Sequence, residues 1–291
     1  TTRTQTLSAK RGNIYSKDGE VLAQNVSAYK LIAYLDPKRT TNKKKPQHVV
    51  DKEKTAEALA PILNMEKDEV LKYLNKENVY QTEFGSKGKN LTELVKKQIE
   101  DLNLPGLDFI ESFKRYYPKG TFASYTIGYA KTTTDEETGK ENIVGEMGIE
   151  KSYESVLKKE NGYIKYQKDL KGYQIANTPV IKKDATQGKN IYLTIESNVQ
   201  FFIEQALINA DIDYDFEWFH ITILDAKTGA VLGTSSSPSF DPNTRNITNY
   251  LDMFLASPYE PGSTMKTFTY MAAMENGVYD GSETYKSGTY V

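Results

Sequence analysis

The chain alternates between stretches with a hydrophobic residue at every second position and stretches with one at every third or fourth. Residues 11–36 and 109–150 show the first pattern, which predicts short strands. Asp18-Gly19 is a turn dipeptide between two of these strands. Residues 51–75 and 91–102 show the second pattern, which predicts helices. The first half of the chain is therefore expected to combine strands with helices.

Capping signals and turn signals place further elements. Asn90 with Glu93, and Ser197 with Gln200, have the spacing of capping boxes and predict the starts of two helices. The apolar positions expected on the buried face of the first helix are Leu91, Leu94, Val95 and Leu102. Residues 218–236 predict a hairpin, since ITILD and AVLGT alternate on either side of Lys227-Thr228-Gly229 and the glycine supplies a positive φ.

Composition excludes several kinds of chemistry. A chain of 291 residues is long enough for about two domains. Its net charge of −2 gives no global field towards nucleic acid or an anionic membrane, so no nucleic acid partner is expected. The absence of cysteine excludes disulfides, thiolate nucleophiles and cysteine-bound zinc. The two histidines, His48 and His220, are far apart in sequence, which disfavours a histidine triad or a histidine metal cluster.

Neither end of the chain shows a targeting signal. No run of 18 or more apolar residues occurs, and the first residues lack the pattern of a signal peptide. The chain begins at TTRTQTLSAKRG and ends at YKSGTYV, and both ends are typical of cuts through a longer protein. An anchor elsewhere in the parent protein therefore stays open.

The pattern Ser-x-x-Lys occurs four times, beginning at Ser27, Ser86, Ser155 and Ser263. Ser27 lies in a predicted strand, where residues three apart point to opposite faces. Ser86 lies in the glycine-punctuated loop FGSKGKN, and Ser155 lies inside a predicted helix whose amides are already bonded. Only Ser263 comes directly before a helical pattern and directly after a turn-forming Pro-Gly pair.

Two interpretations of Ser263 follow. Serine is a favoured helix N-cap, which alone explains a serine at this position. Alternatively, Ser263 is a nucleophile: amides of the first helical turn would steady an oxyanion, and Lys266 returns to the same face within reach of the hydroxyl. An amine acts as a base where burial disfavours its charge, and Met265, Phe268 and Ala272 are expected to form that apolar setting.

The stretch YEPGSTMK around Ser263 resembles the first active-site motif of the penicillin-binding proteins. YLTIESNVQ and DAKTGAVLG resemble the opening of the transpeptidase domain in that family, and FGSKGKN is similar to a loop of septal transpeptidases of Gram-positive bacteria. At Ser16-Lys17 the chain departs from the family, which usually has Asp-Arg there. Three stretches resemble motifs of the N-terminal module of class B penicillin-binding proteins: RGNIYSKDGEVLA (11–23), RYYPKGTFASYTIGYA (115–130) and GEMGIEKSYESVL (145–157).

The resemblance implies an α+β protein in two parts. Residues 1–183 would form an elongated pedestal module with a helical insertion at about 51–103. Residues 184–291 would form the first part of a serine penicillin-recognising domain, of the β-lactamase and transpeptidase type, with an antiparallel sheet flanked by helices. The resemblance also implies that Arg11 and Glu150 meet and tie the start of the pedestal to its end; two surface charges of little worth are the alternative.

The implied activity is that of a peptidoglycan D,D-transpeptidase. Ser263 would attack the penultimate D-alanine carbonyl of a stem peptide with Lys266 as general base, and β-lactam antibiotics would acylate the same serine. No metal or organic cofactor is implied. The implied partners are stem peptides and membrane proteins of the division machinery. The implied location is the outer face of the cytoplasmic membrane, at the division septum, with an N-terminal transmembrane anchor outside this chain.

Two catalytic motifs of the family are missing from these residues. No Ser-x-Asn occurs, and the one Lys-Thr-Gly, at 227–229, precedes Ser263, whereas the catalytic copy in the family follows the serine on an edge strand. The remainder of the transpeptidase domain is therefore expected beyond Val291, and this fragment alone is expected to be inactive. A β-lactam sensor or β-lactamase with the same serine–lysine pair, and a catalytically silent scaffold, stay as alternatives.

A basic stretch, PKRTTNKKKP (37–46), lies outside these motifs. Its five cations are most simply a solvated connection between elements. Contact with an anionic cell-wall polymer is the alternative that the sequence leaves open.

Overall fold

The structure is a computed structural model that describes residues 2–7, 9–134, 141–167, 175 and 178–289. It divides into two compact units, Thr1–Thr248 and Asn249–Val291. Strands and helices are mixed in the first unit, which confirms the predicted α+β class.

The first unit holds all the strands of the described residues. They are β1 (Thr2–Leu7), β2 (Ile14–Tyr15), β3 (Val21–Tyr34), β4 (Gln81–Glu83), β5 (Leu107–Tyr116), β6 (Ala130–Thr134), β7 (Glu141–Gly145), β8 (Gly162–Gln167), β9 (Ile181–Lys183), β10 (Ile191–Tyr192), β11 (Phe219–Leu224) and β12 (Val231–Ser237). Its helices are α1 (Lys52–Leu63), α2 (Lys67–Leu74), α3 (Glu93–Asp101), α4 (Ser124–Ile127), α5 (Gly148–Ser152), α6 (Glu154–Leu157) and α7 (Ser197–Asp213), with a 3₁₀ turn at Pro37–Arg39.

The long strand β3 is the centre of a five-stranded sheet. Its first residues pair with β2 and its last with β4, and most of its length pairs with β5 in antiparallel register from Gln24↔Tyr116 to Ala33↔Leu107. β10 extends the sheet by pairing with β2 in parallel. The apolar positions that predicted this strand lie in the core, since Leu31 and Ala33 are fully buried.

Helices α1, α2 and α3 form in the two stretches where the helical pattern predicted them, and their buried side chains share one core with β3. The helix predicted from Asn90 begins later, at Glu93, because the hydroxyl of Thr92 accepts a hydrogen bond from the amide of Val95 at 3.3 Å. Asn90 has a left-handed backbone, with φ of 54°. The capping-box prediction for this helix was therefore wrong.

A second core lies where the three N-terminal motifs come together. It joins β2 and β3 to α4, α6 and the segments before α4 and α7. Its buried residues are Ile14, Leu22, Ala23, Tyr117, Phe122, Ala123, Ile127, Leu157 and Ile195. Beside it, β6 pairs with β7 as a hairpin, and β8 pairs with both β1 and β9.

Helix α7 packs against the hairpin of β11 and β12. The side chain of Gln200 fastens the two, because the amide of Thr234 donates to Oε1 at 2.8 Å and Nε2 donates to the carbonyl of Thr234 at 2.9 Å. The predicted capping box of Ser197 with Gln200 was therefore wrong. The amide and hydroxyl of Ser197 both donate to Asp18, at 3.2 and 2.9 Å, so a carboxylate from the first predicted turn caps this helix.

The second unit contains α8 (Met253–Ala256), a 3₁₀ turn (Gly262–Thr264) and α9 (Met265–Glu275). These three elements have no buried residue. A unit of this size encloses little apolar surface, because shorter chains bury a smaller fraction of their surface on folding. Among the residues that the structure describes, no helix has both the length and the hydropathy needed to cross a membrane.

Candidate active site

Ser263 lies in the middle of the 3₁₀ turn, two residues before Met265, the first residue of α9. Pro261 precedes the turn with φ of −70°, and Gly262 has φ of 56°, in the left-handed region that favours glycine. The Pro-Gly pair therefore sets the turn that delivers Ser263 to the start of the helix. This is the placement that the sequence predicted.

The Ser263 side chain does not cap the helix. Thr264 is the N-cap residue of α9, and its hydroxyl donates to the carbonyl of Pro261 at 2.5 Å. Within residues 178–289, the hydroxyl of Ser263 has no hydrogen-bond partner and its amide has no backbone acceptor. The cap interpretation of Ser263 therefore does not hold, and the hydroxyl is left without a structural role.

Lys266 lies three residues further on, in the first turn of α9. Residues three apart on a helix lie on the same face, so the amine and the hydroxyl share one side of the helix start. The side chain is exposed and forms no ion pair within the described part of the chain.

The apolar setting predicted around this lysine does not form in the second unit. Met265 and Phe268 are 49% and 60% exposed, and Ala272 is exposed as well. The prediction of a buried face was therefore wrong for this unit, because two short helices and one turn have no partner surface within it.

Lys227-Thr228-Gly229 forms the turn of the β11–β12 hairpin, as predicted. The carboxylate of Asp225 accepts hydrogen bonds from the amides of Lys227 and Thr228 at 3.0 and 2.8 Å, and from the Thr228 hydroxyl at 2.9 Å. The Thr228 hydroxyl and these amides hold the pKa of Asp225 below its ordinary value. Gly229 supplies the positive φ, at 72°. The motif therefore closes a turn, with Lys227 exposed at its tip.

If the intact protein is acylated by penicillin, as the resemblance implies, Lys227→Ala should leave that acylation unchanged. Its side chain is exposed, and its amide, which the substitution keeps, makes the contact with Asp225. Acylation rates measured with fluorescent penicillin check this, with a thermal-unfolding midpoint as the control for folding. A variant that stays folded but loses acylation would show that this copy of Lys-Thr-Gly is catalytic.

Arg11 and Glu150 meet, as predicted, and the pair is fully buried. Nε of Arg11 donates to Oε2 of Glu150 at 2.9 Å, and Nη2 donates to the Glu150 carbonyl at 2.9 Å. Nη2 also lies 2.7 Å from Oε2 of Glu154. Burial disfavours the charge of Arg11, but the contacts with Glu154 and Glu150 outweigh it and hold the pKa of Arg11 above its ordinary value. The alternative of two surface charges is wrong.

Two residues of the second N-terminal motif complete this cluster, and the sequence analysis missed both. Nε of Arg115 donates to Oε1 of Glu150 at 2.6 Å, and the Tyr117 hydroxyl donates to the same oxygen at 3.2 Å. Burial, and then the charge of Glu150, raise the pKa of Tyr117. The one signal in the sequence was the position of Arg115, which is the first residue of the second motif and lies at the end of a predicted strand. We call Arg11, Arg115, Tyr117, Glu150 and Glu154 the arginine–glutamate cluster.

The structure offers no metal centre in the part of the chain that it describes. No group of three or more histidine, aspartate or glutamate side chains in those residues has the arrangement of a metal site.

Two family models match the sequence. The model described as "Penicillin-binding Protein dimerisation domain" matches residues 6–193, and the model described as "Penicillin binding protein transpeptidase domain" matches residues 220–291. The first match covers more than half of the chain and contains the arginine–glutamate cluster. The second contains both Ser263 and the turn at Lys227.

Curated relatives and solved structures agree with these matches. The chain is 31% identical over 270 residues to "Stage V sporulation protein D" of Bacillus subtilis. This alignment covers 91% of this chain and 38% of the relative. It is 29% identical over 283 residues to "Peptidoglycan D,D-transpeptidase FtsI" of Buchnera aphidicola. This second alignment covers 96% of this chain and 46% of the relative. The chain thus spans less than half the length of these relatives.

A solved structure resembles almost the whole chain. Penicillin Binding Protein 2X from Streptococcus thermophilus superposes with a TM-score of 0.71 at 31% identity, over 97% of this chain and 43% of that one. Together with a dimerisation-domain match over residues 6–193 and a transpeptidase-domain match over residues 220–291, this shows that the chain belongs to the class B penicillin-binding proteins.

Proposed function

We propose that the intact protein is a peptidoglycan D,D-transpeptidase that works through an acyl-enzyme on Ser263. The observation that carries this proposal is the hydroxyl at the start of α9, which has no hydrogen-bond partner among the described residues and has Lys266 one helical turn away. Both residues lie in the segment that matches the transpeptidase domain. A relative with 29% identity is named as a peptidoglycan D,D-transpeptidase, which supports the same reaction here.

The proposed reaction has two half-reactions. Lys266 accepts the hydroxyl proton as Oγ of Ser263 attacks the carbonyl of the penultimate D-alanine, and the amide of Ser263 donates to the oxyanion. The C–N bond to the terminal D-alanine breaks, and D-alanine leaves as an amine with the proton. An amine from a neighbouring stem then attacks the ester, which forms the cross-link and returns the proton to Ser263.

The fragment 1–291 is proposed to be inactive alone. It contains no Ser-x-Asn and no Lys-Thr-Gly after Ser263, and the neighbours of Lys266 are exposed. We place the second and third catalytic motifs, and the surface that desolvates Lys266, in transpeptidase sequence beyond Val291. The pedestal is proposed to comprise residues 1–183 and the transpeptidase part residues 184–291, close to the ranges of the two family matches.

The proposed setting is the outer face of the cytoplasmic membrane. A transpeptidase needs access to stem peptides there, and we place the anchor in an N-terminal transmembrane helix outside this chain. We assign the protein to the septal type of Gram-positive bacteria and expect contacts with division proteins. The likeness of FGSKGKN to a loop of septal enzymes supports this assignment.

Two other functions are distinguished by one experiment, labelling of the intact protein with fluorescent penicillin. Stable labelling is expected of the transpeptidase. Rapid turnover of the label would indicate a β-lactamase, against which a dimerisation domain over residues 6–193 already argues. An absence of labelling in a folded protein would indicate a silent scaffold and contradict the proposal.

We expect Lys266→Met to slow acylation by about 10²- to 10⁴-fold, the usual contribution of a general base. Neither histidine lies near Ser263 in sequence to replace the amine, and methionine keeps the length and apolar character of the stem. Stopped-flow acylation rates check this, with Lys286→Met in the same unit as the matched control. A near-normal rate for Lys266→Met would show that another group is the base.

A further inference from the structure

Residues 37–46, which we call the basic loop, carry a concentration of positive charge that the proposed reaction does not use. The cations are Lys38, Arg39, Lys43, Lys44 and Lys45. The loop has no acidic residue, although the whole chain has a net charge of −2. None of the five cations forms an ion pair with a carboxylate in the described part of the chain.

Some lysines elsewhere in this unit are paired, unlike those of the basic loop. Lys30, Lys67 and Lys96 each lie within 3.0 Å of a glutamate oxygen. The acids that flank the basic loop bind backbone amides and pair with none of its cations: Asp36 accepts from the Lys38 amide, and Asp51 accepts from the Lys54 amide, both at 2.9 Å. None of the five cations therefore has a direct carboxylate partner in the described residues, although the charge of Asp108 acts on Arg39 from a distance.

The loop is ordered by its own hydrogen bonds. The side chain of Asn42 accepts from the amide of Lys44 at 2.9 Å, which fixes the turn that presents the three consecutive lysines. The hydroxyl of Thr40 accepts from the amide of Gln47 at 2.8 Å and lies 2.6 Å from Nδ1 of His48. Ligand binding to this loop would therefore cost little backbone ordering.

Arg39 is held more firmly than a solvated arginine. Its guanidinium lies over the ring of Tyr34, 3.5 Å from the centroid, and Nη1 donates to the Tyr80 hydroxyl at 2.8 Å. Nε is enclosed and has no partner among the described residues, so Nη2 and the second Nη1 proton are the donors that stay available. A planar donor fixed in this way suits a phosphate oxygen, for which arginine provides directional bonds that lysine does not.

We propose that the basic loop binds an extended polymer of phosphodiesters. The lysines supply charge along the polymer, and Arg39 supplies one fixed phosphate contact. A lipid surface is the poorer fit, because the only apolar residues of 37–46 are the prolines at its two ends, and the stretch has no aromatic or large aliphatic side chain to enter the acyl region of a bilayer. The biological setting, an anionic polymer of the cell envelope, rests on the proposed function, whereas the binding itself does not depend on Ser263.

The test is the affinity of the chain for fluorescein-labelled poly(glycerol phosphate), measured by anisotropy over a series of salt concentrations. The triple variant Lys43→Gln, Lys44→Gln, Lys45→Gln is expected to bind at least tenfold more weakly at low salt. Because each phosphate contact contributes about 0.7 to the slope of log K against log salt, that slope should fall by about 2. Arg39→Lys, which keeps the charge, is expected to bind several-fold more weakly.

A matched triple variant, Lys72→Gln, Lys87→Gln, Lys97→Gln, makes the same change in net charge at exposed lysines that form no ion pair in the described residues. It should change the affinity less than twofold. Equal losses in the two triple variants would overturn the proposal in favour of nonspecific charge. Binding to phosphatidylglycerol vesicles but not to the polymer would overturn it in favour of a membrane contact.

Two further measurements separate this proposal from other failures. Ser263→Ala should bind the polymer normally, so a protein that is not a transpeptidase would still pass the test. The loop variants should unfold at the same midpoint as the parent protein, which would show that a loss of binding is not a loss of fold. If the folded triple variant of Lys43, Lys44 and Lys45 bound the polymer as tightly as the parent, the proposal would be overturned.

Discussion

Replacing Ser263 with alanine in the intact protein is expected to abolish covalent labelling by fluorescent penicillin while leaving the fold unchanged. The hydroxyl is the atom that the proposed reaction esterifies, and loss of a serine nucleophile costs on the order of 10⁶-fold in turnover. The fold should survive because Ser263 is exposed and its hydroxyl has no partner among the described residues. Gel fluorescence measures the labelling, and the thermal-unfolding midpoint measures the fold.

The other Ser-x-x-Lys copies supply matched controls. Ser86 lies in a loop and Ser155 in α6, both exposed, and Lys89 of the first copy is paired with Glu141 at 3.0 Å. Ser86→Ala and Ser155→Ala should label like the parent protein. Peptide mapping by mass spectrometry should find the adduct on Ser263. An adduct on one of the control serines would remove the basis of the proposed function.

Local signals in the sequence predicted those parts of the fold that local forces decide. The Pro-Gly turn before Ser263 and the hairpin turn at Lys227 form where they were predicted, because each depends on residues adjacent in sequence. The face that α3 buries was predicted less well. Leu94 was expected in the core and is 68% exposed, whereas Ile99 is buried. Which face of a short helix is buried depends on the sheet beneath it, and the helical period alone does not contain that information.

The candidate site shows the same limit. Ser263 and Lys266 were found from a spacing of three, which is local. Their apolar setting was predicted from the same helix, but Met265 and Phe268 are exposed in the second unit. Desolvation of a lysine requires a facing surface from elsewhere in a fold, and residues on one helix do not specify it.

Arg115 was missed for a related reason. The prediction paired Arg11 with Glu150 alone, and nothing in the sequence required a second arginine at the same carboxylate. The register of β3 with β5 places Asn25 opposite Arg115, and the Asn25 side chain also donates to the carbonyl of Arg11. Sheet pairing therefore brings the two arginines to one carboxylate. The register between distant strands cannot be predicted from either segment alone.

Glu150→Gln is expected to lower the free energy of unfolding of the chain by about 3–5 kcal/mol, the usual cost of breaking a buried ion pair from one side. The side chains of Arg11, Arg115 and Glu150 are 0%, 1% and 0% exposed, so two guanidinium groups would lose their shared carboxylate without gaining water. Nη2 of Arg115 is already enclosed without a partner among the described residues, which leaves no spare acceptor. Urea unfolding followed by circular dichroism measures the loss.

An exposed pair provides the control. Lys67 and Glu53 lie 3.0 Å apart with side chains 43% and 69% exposed, so Glu53→Gln should lower the free energy of unfolding far less than Glu150→Gln does. The pKa of Arg11 is raised, so its pairing contributes fully at all pH values below the unfolded arginine pKa and is lost only as pH rises through the folded one. The difference between the two variants should therefore persist from pH 6 to pH 9.

A double-mutant cycle of Arg11→Met with Glu150→Gln should give a coupling energy of about 1–3 kcal/mol. A coupling indistinguishable from zero would show that burial of the pair does not stabilise the pedestal.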